Sequence, residues 1–135
     1  MGSLLMFVDA SVVVAILSEE DDAAYWLERI EAASARITSA LVVLEAAMRL
    51  STKLDVDPME AEAAIVALLR EAEIEIVPIG EVDGKQAVQA FCDYGKGRGH
   101  PAQLNLADCL SYACAKNRGV PLLYKGNDFA LTDLA

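Results

Sequence analysis

Positive charge is scarce in this chain. Eleven lysines and arginines face twenty-one aspartates and glutamates, for a net charge of −10. A protein that coats nucleic acid without sequence preference is usually basic, because phosphate neutralisation supplies its affinity. The balance counts against such a protein. It leaves room for an enzyme that meets phosphates through metal ions, since a carboxylate pocket binds cations first. An acidic body also favours a basic protein partner. Histidine is scarcer still, with His100 the only one. No Ser/His/Asp set, and no cysteine nucleophile with a base nearby, competes for the chemistry. Cys92, Cys109 and Cys114 are odd in number and lack CxxC or Cys/His metal spacing. They point to a reducing compartment and to packing as small buried hydrophobes. No apolar run approaches the ~20 residues that a bilayer span needs. The run Leu4–Val8 is too short for a signal-peptide core, and no basic residue precedes it. The expected location is the cytoplasm, with no membrane contact. Internal repeats, linkers and low-complexity tracts are absent.

What remains is an ordinary globular composition. The 135 residues are 55% hydrophobic and 24% charged, which suits one domain, residues 1–135, with one core. Residues 1–5 read as a start-site extension, with Met6 the natural start. The chain is organised around Leu4-Leu5-Met6-Phe7-Val8-Asp9-Ala10-Ser11. Five consecutive apolar residues predict a short strand buried on both faces, as in a parallel sheet. Asp9 ends the run, and a helix is expected from Ala10 to Leu17. A carboxylate at the carboxyl end of a buried strand stands where open α/β sheets place their ligands. An N-cap role for Asp9 explains it equally well when it is taken alone.

Glu19-Glu20-Asp21-Asp22 reads as the solvated start of a second helix, with Trp26, Leu27 and Ile30 on its buried side. Ala35–Thr38 is a strand candidate. From Ser39 to Leu54 runs a helix that is apolar nearly all round, so it should be buried or form an oligomer contact. Glu45 sits within it. A surface pair with Arg49 is the plain explanation, but an ionised glutamate among Val and Leu needs a cation or a raised pKa. Asp57-Pro58-Met59-Glu60 starts a packing helix, with Asp57 as cap and Glu60 completing a capping box. Glu75–Ile79 is a strand candidate, and Asp83 to Tyr94 a helix. Gly95–Pro101 is expected to be a mobile loop, holding Lys96, Arg98 and His100, the densest basic group in the chain. Asn105 caps a helix from Leu106 to Arg118 that Gly119 ends. Asp108 falls at the third position of that helix, where an acid is favoured anyway. Val120–Tyr124 is a last buried strand, followed by the turn Lys125-Gly126-Asn127-Asp128-Phe129.

Strands and helices alternate throughout, which implies a parallel sheet with right-handed crossovers. In such a sheet the strand ends and helix starts share one edge. Asp9, Asp108 and Asp128 can converge there, with Glu45 pointing in from a flanking helix. Carboxylates so close repel unless some stay protonated or a hard cation offsets them. Mg²⁺ or Mn²⁺ suits such a set, because these ions take oxygen ligands and keep several waters. Phosphodiester hydrolysis is the natural chemistry.

The motifs VDAS, TSALVVLE at Thr38–Glu45, LNLADCLSYACAK at Leu104–Lys116 and LLYKGNDF at Leu122–Phe129 occur in that order. The chain resembles the PIN-domain toxins of the VapC type over nearly its whole length. That resemblance implies a three-layer α/β/α fold, with a short parallel sheet of four to five strands flanked by helices. It implies a metal-dependent endoribonuclease, the toxin of a bacterial toxin–antitoxin pair, acting on transfer or ribosomal RNA. Asp9, Glu45, Asp108 and Asp128 fall on the family's acidic positions. Asp9 and Asp108 would bind the metal, and Glu45 and Asp128 would act directly or through water. Ser11, Lys96, Arg98, His100 and Asn127 are the expected substrate contacts. A homodimer and a small VapB-type antitoxin covering the acidic groove are also implied. The chain departs from the family pattern at Ala107, where glycine is expected, and at Gly99, an apparent insertion.

Receiver domains and haloacid-dehalogenase phosphatases fit poorly. The first lacks its acid pair and its acceptor aspartate here, and the second would need an acid where Ser11 stands. The serious alternative is an acidic PIN-like module that binds a partner without nuclease turnover.

Overall fold

The computed structural model describes residues 5–135. Residues 1–4, with Leu4 of the first apolar run and most of the expected extension, lie outside the described residues. In chain order the elements are β1 (Leu5–Val8), α1 (Ala10–Leu17), α2 (Ala23–Ala32), β2 (Ala35–Thr38), α3 (Ala40–Leu54), α4 (Pro58–Glu71), β3 (Ile74–Ile76), α5 (Glu81–Tyr94), α6 (Leu106–Arg118) and β4 (Leu122–Leu123).

The consecutive apolar residues of β1 need cover on both faces, and only a central strand provides it. Phe7 and Val8 are fully buried. The sheet order is β3-β2-β1-β4, and every pairing is parallel. Six helices flank this four-stranded sheet. The chain steps from β1 through β2 to β3 on one side and then returns to place β4 on the other. The order therefore reverses beside β1, and its carboxyl edge is the point where α/β sheets open a crevice. Asp9 follows β1 at that edge, and the turn Lys125–Asp128 follows β4. The amide of Asp9 donates to the Leu123 carbonyl at 3.0 Å, which ties the two strand ends together. Thr38, at the end of β2, is fully buried and donates its hydroxyl to the Val8 carbonyl at 2.8 Å. The last residues of β1 are thus held from both sides.

Several local expectations are revised. The run Glu19–Asp22 leads into α2 with only Asp22 at the N-cap position, and the Asp22 side chain makes no cap bond. Glu20 and Asp22 form ion pairs instead of facing solvent alone. Asp57 caps α4 through the Met59 amide at 2.8 Å, but Glu60 adds no reciprocal bond among the described residues. Strand β3 is shorter than expected and begins one residue earlier, and Pro78 follows, where no amide is left to donate. Helix α3 buries Val42, Ala46, Ala47 and Leu50 but leaves Leu44 and Met48 exposed, so it is two-sided, not apolar cover all round. The segment 95–101 is folded back on itself. The Lys96 amide donates to the Leu104 carbonyl at 2.9 Å, and Gly97 and Gly99 take left-handed φ of 82° and 83°. Side chains rarely adopt that conformation, which accounts for glycine at both places.

Replacing Thr38 with valine keeps the volume and removes the bond that braces the end of β1. Thr38→Val should cost about 1–2 kcal/mol in urea unfolding. An unchanged midpoint would show that the Val8 carbonyl does not depend on this hydroxyl.

Candidate active site

Asp9 and Asp108 each reach the crevice through a helix cap. Asp9 is the N-cap of α1 and is almost wholly buried. Its Oδ2 accepts the Ser11 amide at 3.0 Å and the Ser11 hydroxyl at 2.6 Å. Its Oδ1 is buried with no hydrogen-bond partner. Asp108 is the third residue of α6, in a reciprocal cap with Asn105. The Asn105 amide donates to Asp108 Oδ2 at 3.1 Å, and the Asp108 amide donates to Asn105 Oδ1 at 2.9 Å. The cap again occupies Oδ2. Capping and ligand binding are therefore compatible, because a carboxylate has two oxygens and the cap needs one.

Glu45 projects from α3 and is half-buried. Burial first, then the charges of Asp9 and Asp108 and a smaller push from Asp128, together raise its carboxyl to about 7 against the opposing charge of Arg49. Burial likewise lifts Asp108 to about 6 against the downward pull of the Asn105 amide, with Asp128 and Asp9 adding to the rise. Four acids from four parts of the chain thus act on one another. Asp128 is the exposed member, on the turn after β4.

A buried carboxylate oxygen without a donor is costly unless a cation or proton meets it. Asp9 Oδ1, beside two acids that burial and repulsion push toward neutrality, fits a hard cation well. Among the described residues, no three acids, histidines or cysteines close tightly enough to hold an ion unaided. An ion here would keep part of its water shell, as small hard divalent cations do.

The PIN domain profile matches residues 6–134. Ribonuclease VapC28 of Mycobacterium tuberculosis is 44% identical over 127 residues, covering 94% of this chain and 93% of that protein. VapC ribonuclease R02377 of Rhizobium meliloti is 41% identical, covering 96% and 99%. The chain belongs to the VapC family of PIN-domain ribonucleases. Solved structures agree on the fold. M. tuberculosis VapC20, described as a sarcin-ricin loop cleaving toxin, superposes with a TM-score of 0.72 at 16% identity over 93% of this chain and 92% of that one. A toxin–antitoxin complex from Klebsiella pneumoniae gives 0.69 at 18% identity, over 98% and 94%.

In this VapC-family chain the other expected contacts divide. Ser11 has its hydroxyl engaged twice, donating to Asp9 and accepting the Lys125 amide at 2.9 Å. Asn127 is exposed beside Asp128. Lys96 and Arg98 are exposed, and the Arg98 guanidinium lies 5.6 Å from the centre of the Phe91 ring. His100 accepts the Ala102 amide on Nδ1 at 3.0 Å and meets the Tyr94 ring edge-on. None of Lys96, Arg98 and His100 is among the main influences on Glu45 or Asp108. That place belongs to Arg49, which the i, i+4 spacing marks only as a surface partner of Glu45. Glu20 and Lys125 were also missed. The acidic run and the lysine in the turn were their only traces in the sequence.

The raised acids set the sign of a pH dependence. Glu45 has an ordinary value of 4.5 and sits at about 7 in the fold, so between these the folded state binds more protons than the unfolded. Stability of the metal-free protein therefore falls as pH rises through that window. In EDTA, Glu45→Gln should melt higher than wild type at about pH 8 and converge with it near about pH 4. Equal melting at the higher pH would mean that Glu45 is not held among like charges.

Proposed function

We propose that this chain is a Mg²⁺- or Mn²⁺-dependent endoribonuclease, the toxin of a toxin–antitoxin pair. Its acidic site is Asp9, Glu45, Asp108 and Asp128. The observation that carries the reading is the unpartnered Oδ1 of Asp9, buried at the strand-order reversal among three further carboxylates. Asp9 and Asp108 would hold the ion through the oxygens their caps leave over. Glu45 and Asp128 would act directly or through water. When bound, the ion supplies Lewis acidity toward the phosphate and lowers the pKa of an attacking water. Glu45, half-buried and held near neutrality, is the acid best placed to exchange a proton at working pH. Arg49 brings positive charge to the same rim for a substrate phosphate. Ser11 is assigned to orienting Asp9, since both roles of its hydroxyl are taken.

Lys96, Arg98, His100 and Asn127 are proposed as RNA contacts outside the acids. Lys96 and Arg98 make no ion pair among the described residues, which leaves their charge available to phosphates. Transfer or ribosomal RNA is the proposed substrate class. A homodimer and a VapB-type antitoxin are the proposed partners. Supporting them are two apolar grooves, of about 560 Å³ along α5 and α6 and about 490 Å³ along α3 and α4. Exposed apolar patches of this kind mark interaction surfaces. Among the described residues no helix is long and apolar enough to cross a membrane. The three cysteines are unpaired, in keeping with the cytoplasm as the place of action.

The deciding assay is cleavage of total cellular RNA with Mg²⁺, with Mn²⁺ and with EDTA. Asp9→Asn and Asp108→Asn are the informative variants, because asparagine still caps a helix whereas alanine costs about 0.5–2 kcal/mol there. Each should lose more than about 100-fold in rate while melting as a folded protein. Wild-type rates in either would remove that residue from the reaction. Metal binding without any cleavage would favour a binding module without turnover. Replacing Lys96, Arg98 and His100 together by alanine should weaken RNA binding and flatten its salt dependence by about two units of slope, sparing metal affinity. An unchanged slope would return the segment to a structural role.

A further inference from the structure

Asp9 and Asp108 are fixed by their own caps. Glu45 and Asp128 are not, since neither side chain makes a hydrogen bond among the described residues. Their carriers, α3 and the turn after β4, are joined instead through Glu20. Glu20 Oε1 accepts the Lys125 ammonium, and Oε2 accepts the Lys53 ammonium and the Ser18 hydroxyl, the last at 3.2 Å. Asp22 takes the Lys125 ammonium as well, at 3.1 Å. Lys125 starts the turn that carries Asp128, and its amide donates to Ser11, which in turn donates to Asp9. Lys53 lies on α3 eight residues after Glu45.

We propose that Glu20, supported by Asp22, is a positioning residue for the acidic site: it clamps Lys125 and Lys53 and so sets the Asp128 turn against α3. The inference rests on the nuclease reading above and adds to it residues outside the four acids.

Two physical consequences follow. First, the clamp holds the Lys125 ammonium on Glu20 and Asp22. Released, that ammonium sits on a backbone bonded to Ser11, beside Asp9, where a cation is attracted and competes with a metal. Second, the clamp adds little to global stability. Its side chains are a quarter to nearly half exposed, and ion pairs so open to water are screened and contribute little. Loss of Glu20 should therefore be felt at the site before it is felt in unfolding. The two ammoniums hold the Glu20 carboxyl down at about 2, so the clamp stays charged across working pH.

The test is a double-mutant cycle on the full chain, read by Mn²⁺ titration and by RNA cleavage. Glu20→Gln should bind Mn²⁺ about 10-fold more weakly and lose about 10-fold in kcat, with KM for RNA and the melting point near wild type. If Glu20 acts by restraining Lys125, adding Glu20→Gln to Lys125→Met should change Mn²⁺ affinity little further. Wild-type Mn²⁺ affinity in Glu20→Gln would overturn the proposal, and so would full additivity in the pair. A wild-type protein that binds Mn²⁺ but cuts no RNA would sink the nuclease reading, while the titration still decides the clamp. A wild-type protein that binds no Mn²⁺ would overturn both.

Discussion

Four carboxylates facing one another repel, and the fold has to hold them together against that repulsion. Two devices do so. Asp9 and Asp108 each give one oxygen to the exposed amides at a helix start, where the helix dipole favours negative charge. Burial first, and repulsion from the neighbouring acids second, raise the pKa values of Glu45 and Asp108, so that both give up charge more readily. What is left over is the second oxygen of each capping acid. In Asp9 that oxygen is buried and without a donor. The same two residues thus cap their helices and leave an oxygen over, and a cation is the natural partner for it.

The parallel sheet makes this arrangement possible. Reversal of strand order beside β1 opens the carboxyl edge between β1 and β4. Loops leaving a reversal point diverge to opposite sides, so a crevice stays between them. The strand ends are stiffened where the acids leave them. Thr38 braces Val8 from one side, and the Asp9 amide reaches Leu123 on the other. A carboxylate on such a frame keeps its direction when charge or substrate arrives, which a site on free loops does not.

Charge is distributed with a purpose that net charge conceals. Of the eleven cations, Lys53, Lys116, Arg118 and Lys125 are tied to carboxylates away from the crevice. Arg118 and Asp83 join α6 to the start of α5, and Lys116 and Asp133 pin the C-terminal segment. Arg49 is the cation that acts on the acids themselves. An acidic protein can handle an anionic substrate when positive charge lies near the site and cations neutralise the acids there.

Local signals carried much of this in the sequence. The unbroken apolar run before Asp9 requires a central strand. The Asn105–Asp108 spacing requires a cap, and Gly119 a helix end; each is a short-range rule that needs no partner. The four acids could be gathered because strand ends and helix starts share an edge in any parallel sheet. The donors that occupy Oδ2 of Asp9 and of Asp108 are local, two and three residues away. Tertiary structure alone decided that Asp9 Oδ1 is buried without a donor, since burial depends on packing from other elements. It also drew Glu20 and Asp22, in the run read as a solvated helix start, into ion pairs with Lys53 and Lys125. Glu20 meets Lys125 across 105 residues and Lys53 across 33, and no local pattern records so distant a partner. Propensity and periodicity describe what a segment does to itself. Where its charges end is set by the packing that brings other segments to it.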